Sequence, residues 1–282
     1  MALDGIDGLD LLQRISTNDV SKLEIGEHVE TVLTNEKGRI VDLLIVHRKS
    51  PTSLIISGLS NQSEKLADVI GKFIVMEDTT LKLLSGDWIQ YLTFNLQDYG
   101  VIADIAEPNM IALRLEHSSA KQVLFIAEKL SRRHLDSAFT QRGIKVCTKE
   151  QYEDYRIVNG IPGYPNEISL RFNPLEVGLE SQISFTKGCY VGQEVIARLD
   201  TYQKTQKRIR RFLLSKMPYR LPTTLFTQER EEVGILTSCT SSSIQNGRIL
   251  GLGFVAPNQD GRELSYLLQQ DGVYGLAKVI PN

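Results

Sequence analysis

Cysteine is scarce in this chain: three in 282 residues, Cys147, Cys189 and Cys239, an odd count with no C-x-x-C pair. Neither a disulfide framework nor a closed zinc site follows from such a set. The four histidines, His28, His47, His117 and His134, lack metal-ligand spacing, and none is singled out as a base beside a thiol. No Gly-rich phosphate loop is present, because Gly251-Leu252-Gly253 lacks the third glycine of a dinucleotide fingerprint. No apolar run approaches the ~20 residues that a membrane-crossing helix needs, so no membrane contact is expected. The first residues carry Asp4, Asp7 and Asp10 without a basic or apolar leader stretch. That pattern fits neither a secretory nor a transit signal, and a cytoplasmic protein is expected.

What is present is ordinary globular composition, 41% hydrophobic and 23% charged, in a chain long enough for two or three cores. The net charge of −2 argues against a nucleic-acid coat, and nucleic acid is not an expected partner. One dense basic segment, Lys204 to Arg211, reads either as a contact for RNA phosphates or an acidic protein, or as a solvated linker.

Periodicity divides the chain into an α+β region, 1–200, and a short-stranded all-β region, 201–282. Asp7 to Ile15 reads as a helix. His28 to Thr34 and Arg39 to His47 form a hairpin about a turn ending at Gly38, and Ser53 to Ser57 forms a third strand. Ser60 is placed to cap a helix whose stripe is Leu66, Val69, Ile70, Phe73 and Ile74. Strands follow near Thr80–Leu84, Trp88–Phe94, Met110–Leu115 and Val123–Ala127. Ser131 caps a helix carrying Leu135, Ala138 and Phe139, Ile144 to Cys147 reads as a strand, and Thr148 with Gln151 forms a capping box. Turn signals at Gly234, Asn246-Gly247 and Asp271-Gly272 punctuate the all-β region.

The most informative stretch is Lys187-Gly188-Cys189-Tyr190-Val191-Gly192-Gln193-Glu194. Ile183 to Phe185 before it reads as a short strand. Val191, Val195, Ile196 and Leu199 then recur at helical spacing, so a helix begins near Gly192. Cys189 would enter a helix N-terminus, where unpaired N–H groups and the Lys187 ammonium favour a thiolate, while Glu194 opposes it or exchanges its proton. Alternatively, Gly188 and Gly192 only shape a tight turn around a small buried thiol.

The string resembles the signature K-G-C-aromatic-x-G-Q-E of the folate-binding YgfZ family, with every position filled and Ala197-Arg198-Leu199 following. The resemblance extends to Gly5-Ile6-Asp7-Gly8, Thr17-Asn18-Asp19-Val20, Gly38-Arg39-Ile40-Val41-Asp42, Tyr155-Arg156-Ile157 through Pro162, Glu167, Asn173-Pro174 and Gly251 through Val255. It is weakest from Pro51 to Arg142. More distantly the chain is similar to the glycine-cleavage T-protein, an aminomethyltransferase acting on tetrahydrofolate, whose paired aspartates are matched here by Asp42-Leu43.

The resemblance implies two interlocked ferredoxin-like α+β units, meeting near 95–105, and a small C-terminal β-barrel. It implies a monomeric accessory protein that assembles, inserts or repairs iron–sulfur clusters in carrier or client proteins, tRNA modification included. Tetrahydrofolate or a related reduced folate is the implied cofactor. Cys189, Lys187 and Glu194 are its working residues, and Gly188, Tyr190, Gly192, Gln193 and Arg198 shape the loop. One thiol cannot hold a four-thiolate cluster, so any iron–sulfur contact at Cys189 is transient and no stable metal site is expected. Asn18, Asp42, Arg156 and Glu167 are candidate folate contacts. Arg156 either meets a glutamate-tail carboxylate or pairs with Glu153 or Asp154, and Asp42 either meets the pteridine or is a polar strand residue. A folate-dependent aminomethyltransferase and a non-enzymatic RNA- or protein-binding module are the alternatives, and the leucine at 43 counts against the first.

Overall fold

The computed structural model describes residues 1–60, 62–84, 86–94, 105, 110–117, 120–202, 205–268 and 273–280. The expected junction near 95–105 lies outside them except for Ile105, as do Lys204 of the basic segment and the Asp271-Gly272 turn.

Five antiparallel strands form the first sheet: β1 (Ala2–Gly5), β2 (His28–Thr34), β3 (Ile40–Ser50), β4 (Ser53–Gly58) and β5 (Thr79–Lys82), in the order β2-β3-β4-β1-β5. Helices α1 (Gly8–Ile15) and α2 (Ser63–Gly71) cover one face. Leu11, Leu12, Ile15, Leu66 and Ile70 pack there on Leu3, Leu44, Val46, Leu54 and Ile56. Because side chains alternate along a strand, Leu44 and Val46 meet the helices while Leu43 and Ile45 turn to the opposite face.

That second face lies on a three-stranded sheet of β6 (Trp88–Phe94), β7 (Ile111–His117) and β8 (Ala120–Glu128), ordered β6-β8-β7. Leu113, Leu124 and Ile126 pack against Ala2, Ile45 and Ile55 between the sheets. On the far side, α3 (Arg132–Gln141) buries Leu135, Ala138 and Phe139 on Val123, Phe125 and Ala127. Helices α4 (Lys149–Val158), α5 (Pro174–Val177) and α6 (Gln193–Thr201) follow, the first with the expected Thr148–Gln151 capping box.

The remaining strands are β9 (Arg208–Leu214), β10 (Thr223–Phe226), β11 (Glu232–Ser242), β12 (Arg248–Val255), β13 (Glu263–Leu267) and β14 (Tyr274–Ile280). They close a barrel in the order β10-β11-β12-β9-β14-β13, with β13 pairing back to β10. Phe212, Leu225, Leu236 and Tyr266 are among the side chains that fill it. The expected α+β class with a C-terminal barrel is therefore the observed one.

A buried ionic clasp fastens the barrel to the rest. The Arg156 guanidinium, 2% exposed, donates to Glu167 at 3.0 Å, to Glu153 at 2.5 and 2.8 Å, and to the Ser238 hydroxyl at 2.8 Å. Glu167, wholly buried, also accepts from Thr237, from Ser238 at 2.8 Å and from the Gly163 N–H at 3.0 Å. Only glycine fits at 163, because a Cβ there would lie 2.8 Å from the guanidinium carbon.

Four expectations are corrected. Ser60 does not cap α2, whose N-cap is Gln62; its hydroxyl and N–H are spent on the Asp42 carboxylate. Ile144 to Cys147 is not a strand, since the Ile144 N–H closes back on Phe139 and Val146 is 94% exposed, away from any sheet edge. Ile183 to Phe185 is not a strand either; the Ser184 N–H is tied to the Thr17 carbonyl at 3.0 Å outside any ladder. Arg208 to Arg211 belongs to barrel strand β9 and not to a linker, with Arg210 paired to Asp260 and Arg211 donating to the Val158 carbonyl.

Candidate functional site

Where the Leu43–Ile45 face of β3 meets β6 and β8, the two sheets part to leave a cavity of about 340 Å³, within the range of small-ligand sites. Its wall is largely aliphatic, from Leu43, Ile45, Leu59, Leu92 and Leu124 among others. Glu30 on β2, Ser57 on β4, Gln90 on β6, Gln122 on β8 and Tyr152 on α4 supply the polar groups. Ser57 accepts from the Gln90 amide at 3.0 Å, and Glu30 accepts from the Gln182 amide at 3.2 Å. Gln122 is 2% exposed, and among the described residues its Nε2 has no hydrogen-bond partner. An apolar slot with a few polar side chains along its wall suits a flat heterocycle with polar edges, so the residues fit a folate ring.

None of the four expected folate residues lines this cavity. Asp42 is on the α2 side of β3, where Ser60 and the Leu43 N–H hold its carboxylate and burial raises its pKa. Asn18 is engaged by backbone, its amide donating to the Glu30 carbonyl at 2.8 Å and its oxygen accepting from the Asp19 N–H. Arg156 and Glu167 are consumed by the clasp, which leaves the guanidinium no free edge for a ligand carboxylate. Of Arg156's two readings, pairing with Glu153 is the one observed.

Sequence reasoning missed Glu30, Gln90, Gln122 and Tyr152. A signal existed for three of them: each glutamine, and Glu30, sits in a strand two residues before an apolar residue on the same face. Glu30 shares a face with Val32, Gln90 with Leu92, and Gln122 with Leu124. Such a polar exception marks a site only once the facing sheet is known.

The signature forms a separate but connected feature. The loop from Ser184 to Gly192 is tied down at both ends: Ser184 N–H to Thr17, Val191 N–H to Arg14, and the Thr34 hydroxyl to the Val191 carbonyl at 2.6 Å. Gly192 precedes α6 with φ +84°, and a Cβ there would lie 2.5 Å from the Asn35 carbonyl. The expected helix start is thus observed, with Glu194 exposed in its first turn, Gln193 half-buried and Arg198 exposed.

Within the loop, Tyr190 is buried against Leu175, Ile183 and Ile196, and burial pushes its phenol up to about 12. Lys187 folds inward over that ring, its ammonium 5.3 Å from the centroid, and donates to the carbonyls of Ser16 at 2.8 Å and Asn18 at 2.6 Å. Desolvation lowers its pKa to about 8. Lys187 therefore acts as a tether between the loop and the end of α1, and its charge is directed at these carbonyls. Cys189 and Gly188 are exposed at the crest, so the thiol is not a buried filler. The loop is also linked to a strand that walls the cavity, since Thr17 and Asn18 join it to β2, and Gln182 just before it bonds Glu30. Among the described residues, no cluster of three or more His, Cys, Asp or Glu could hold a metal, and no helix is long and apolar enough to cross a membrane.

This arrangement of sheets, helices and barrel has a solved counterpart. The glycine cleavage system aminomethyltransferase T from Bartonella henselae superposes with a TM-score of 0.84 at 16% identity, over 99% of this chain and 82% of that one. The fold is that of aminomethyltransferase T. In sequence, the aminomethyltransferase of Listeria monocytogenes serotype 4b (strain CLIP80459) is 24% identical over 298 residues, 98% of this chain and 81% of that protein. That of Aquifex aeolicus is 23% identical over 295 residues, 96% of this chain and 78% of that protein. The Arabidopsis thaliana protein named "Putative transferase At1g60990, chloroplastic" is 41% identical over 104 residues, which span 37% of this chain and only 23% of that protein. No protein-family model matches.

Proposed function

We propose that the chain binds a reduced folate between its two sheets and serves iron–sulfur cluster assembly, insertion or repair through Cys189. The observation that carries this reading is an exposed thiol on a doubly anchored loop that is tied to β2, the strand that also walls the cavity. A lone thiolate is a soft ligand suited to brief contact with a cluster that a carrier or client protein holds, the cluster being cargo. Folate bound in the cavity would supply a one-carbon or redox-active ring, while this chain's residues orient it. Glu30 and Gln122 hold its polar edges, and Leu43, Leu92 and Leu124 exclude water from its faces.

The relatives' names favour a second reading, aminomethyl transfer onto tetrahydrofolate. Strand alternation counts against it. Of the Asp42-Leu43 pair that matches the T-protein's aspartates, the leucine faces the cavity and the remaining acid faces α2. A proton acceptor is thereby replaced by a hydrocarbon at the reacting side.

Calorimetric titration with tetrahydrofolate is expected to give a dissociation constant on the order of 1–10 μM. A turnover assay with an aminomethyl donor is expected to give no transfer. Absence of heat at millimolar folate would remove the binding claim, and measurable turnover would restore the transferase reading.

A further inference from the structure

The outer face of the barrel carries a second groove, of about 270 Å³, where the end of α4 lies against β12, β9 and β14. Phe212 and Leu214 of β9 fill the barrel, so Arg211 and Leu213 on the same strand point outward. Leu213 stands directly opposite Leu250 of β12 and Lys278 of β14, and Arg248 lies two residues from Leu250 on the same face. With neighbouring strands about 4.8 Å apart, the backbones of all three lie within roughly 10 Å of Leu213. Ile157 of α4 and Leu250 add an aliphatic wall, while Leu213 itself is 36% exposed.

The charged side chains that line this groove are all cations, Arg211, Arg248 and Lys278, in a chain whose net charge is −2. Arg211 donates to the Val158 carbonyl at 2.8 Å and belongs to the wall. Arg248 and Lys278 are exposed, and among the described residues neither has an acidic partner. Like charges gathered around an aliphatic floor repel one another, and carboxylates from outside relieve that repulsion. The volume falls just below the ~300–1,000 Å³ of sites that enclose a whole small molecule, so it suits a side chain or two of a longer ligand. No aromatic ring lines the groove for a nucleobase to stack on, which favours a protein over a nucleic acid. We infer that this groove docks an acidic peptide segment of a partner protein. An aliphatic side chain seats over Leu213, and flanking carboxylates meet Arg248 and Lys278. The surface lies on the barrel and stands independently of the folate reading.

The test is fluorescence anisotropy with a short labelled peptide of glutamates around a central leucine pair, its glutamine counterpart, and a single-stranded oligoribonucleotide. Wild type should bind the acidic peptide with a dissociation constant on the order of 10–100 μM, and the glutamine counterpart about tenfold more weakly. Arg248→Glu combined with Lys278→Glu should weaken acidic-peptide binding by about tenfold or more. Lys145→Glu combined with Lys149→Glu makes the same change in net charge outside the groove and should leave binding within about twofold. Leu213→Ser, which keeps every charge, should weaken it severalfold. These side chains are exposed, so melting temperatures should match wild type; if the charge-reversed groove variant melts lower, Leu213→Ser decides alone. Four results would each overturn the assignment: no binding of the acidic peptide to wild type, equal affinity for the two peptides, equal losses from the two double variants, or unchanged binding by Leu213→Ser. Tighter binding of the oligoribonucleotide than of the acidic peptide would overturn it in favour of nucleic acid.

Discussion

Replacing Arg156 by methionine is expected to destabilise the protein by about 3–5 kcal/mol, the cost of leaving a buried charge without its counterion. Glu167 is wholly buried, and Arg156 is the cation facing it. Thr237, Ser238 and the Gly163 N–H would remain, but three neutral donors do not replace a guanidinium. The methionine fills much of the arginine's stem, so the loss would come from charge and not from a cavity. Removing both charges, as Arg156→Met with Glu167→Gln, should recover part of the loss, because the amide oxygen still accepts from the neighbouring donors and no buried charge is left unpaired. Denaturant midpoints for the two single variants and the double decide this. A single-variant cost under about 1 kcal/mol, the size of an exposed ion pair, would mean that the clasp is solvated.

Gly192→Ala is expected to cost about 2–5 kcal/mol, from two sources of comparable size. A left-handed backbone carries ~1–2 kcal/mol for any residue with a Cβ, and overpacking adds ~1–3 kcal/mol. At φ +84° the new carbon would lie 2.5 Å from the Asn35 carbonyl and 3.0 Å from the Gly38 Cα, so the hairpin tip or α6 must shift. Gly188→Ala is the control. No atom lies within 4 Å of its Cβ position, and its melting temperature should stay near that of wild type. Equal losses at 188 and 192 would contradict the packing of the signature against the β2–β3 turn.

Local chemistry made much of the fold legible. The alternation from His28 to His47 about Gly38 gave the hairpin, Thr148 and Gln151 gave a capped helix start, and the spacing of Val195, Ile196 and Leu199 gave α6. Failures arose where a residue's partner is distant in sequence. Ser60 looks like a cap until Asp42 takes its hydroxyl. Arg156 looks like a ligand for an anion until the chain returns Glu167 and Ser238 to it. Ile183 to Phe185 has strand composition, but the segment beside it offers the Thr17 carbonyl rather than a ladder.

The site divides in the same way. Its signature was legible because eight consecutive residues fold into one loop. The inward turn of Lys187 was not, because its acceptors are carbonyls at the end of α1. The cavity was not legible either. It belongs to neither sheet, and Glu30 and Gln122 acquire meaning only when the two faces are brought together. Asp42-Leu43 was identified as a departure from the transferase pattern, but only the pleat shows that the leucine is the residue facing the cavity.

The claim that Cys189 is the working group is tested most directly by the activity of iron–sulfur enzymes in cells lacking this protein. Those cells would be supplied with either wild type or Cys189→Ala at matched protein levels. Cys189 is exposed at the loop crest, so its truncation should leave the melting temperature unchanged. The account predicts that wild type restores cluster-enzyme activity and that Cys189→Ala does not; full restoration by Cys189→Ala would contradict it.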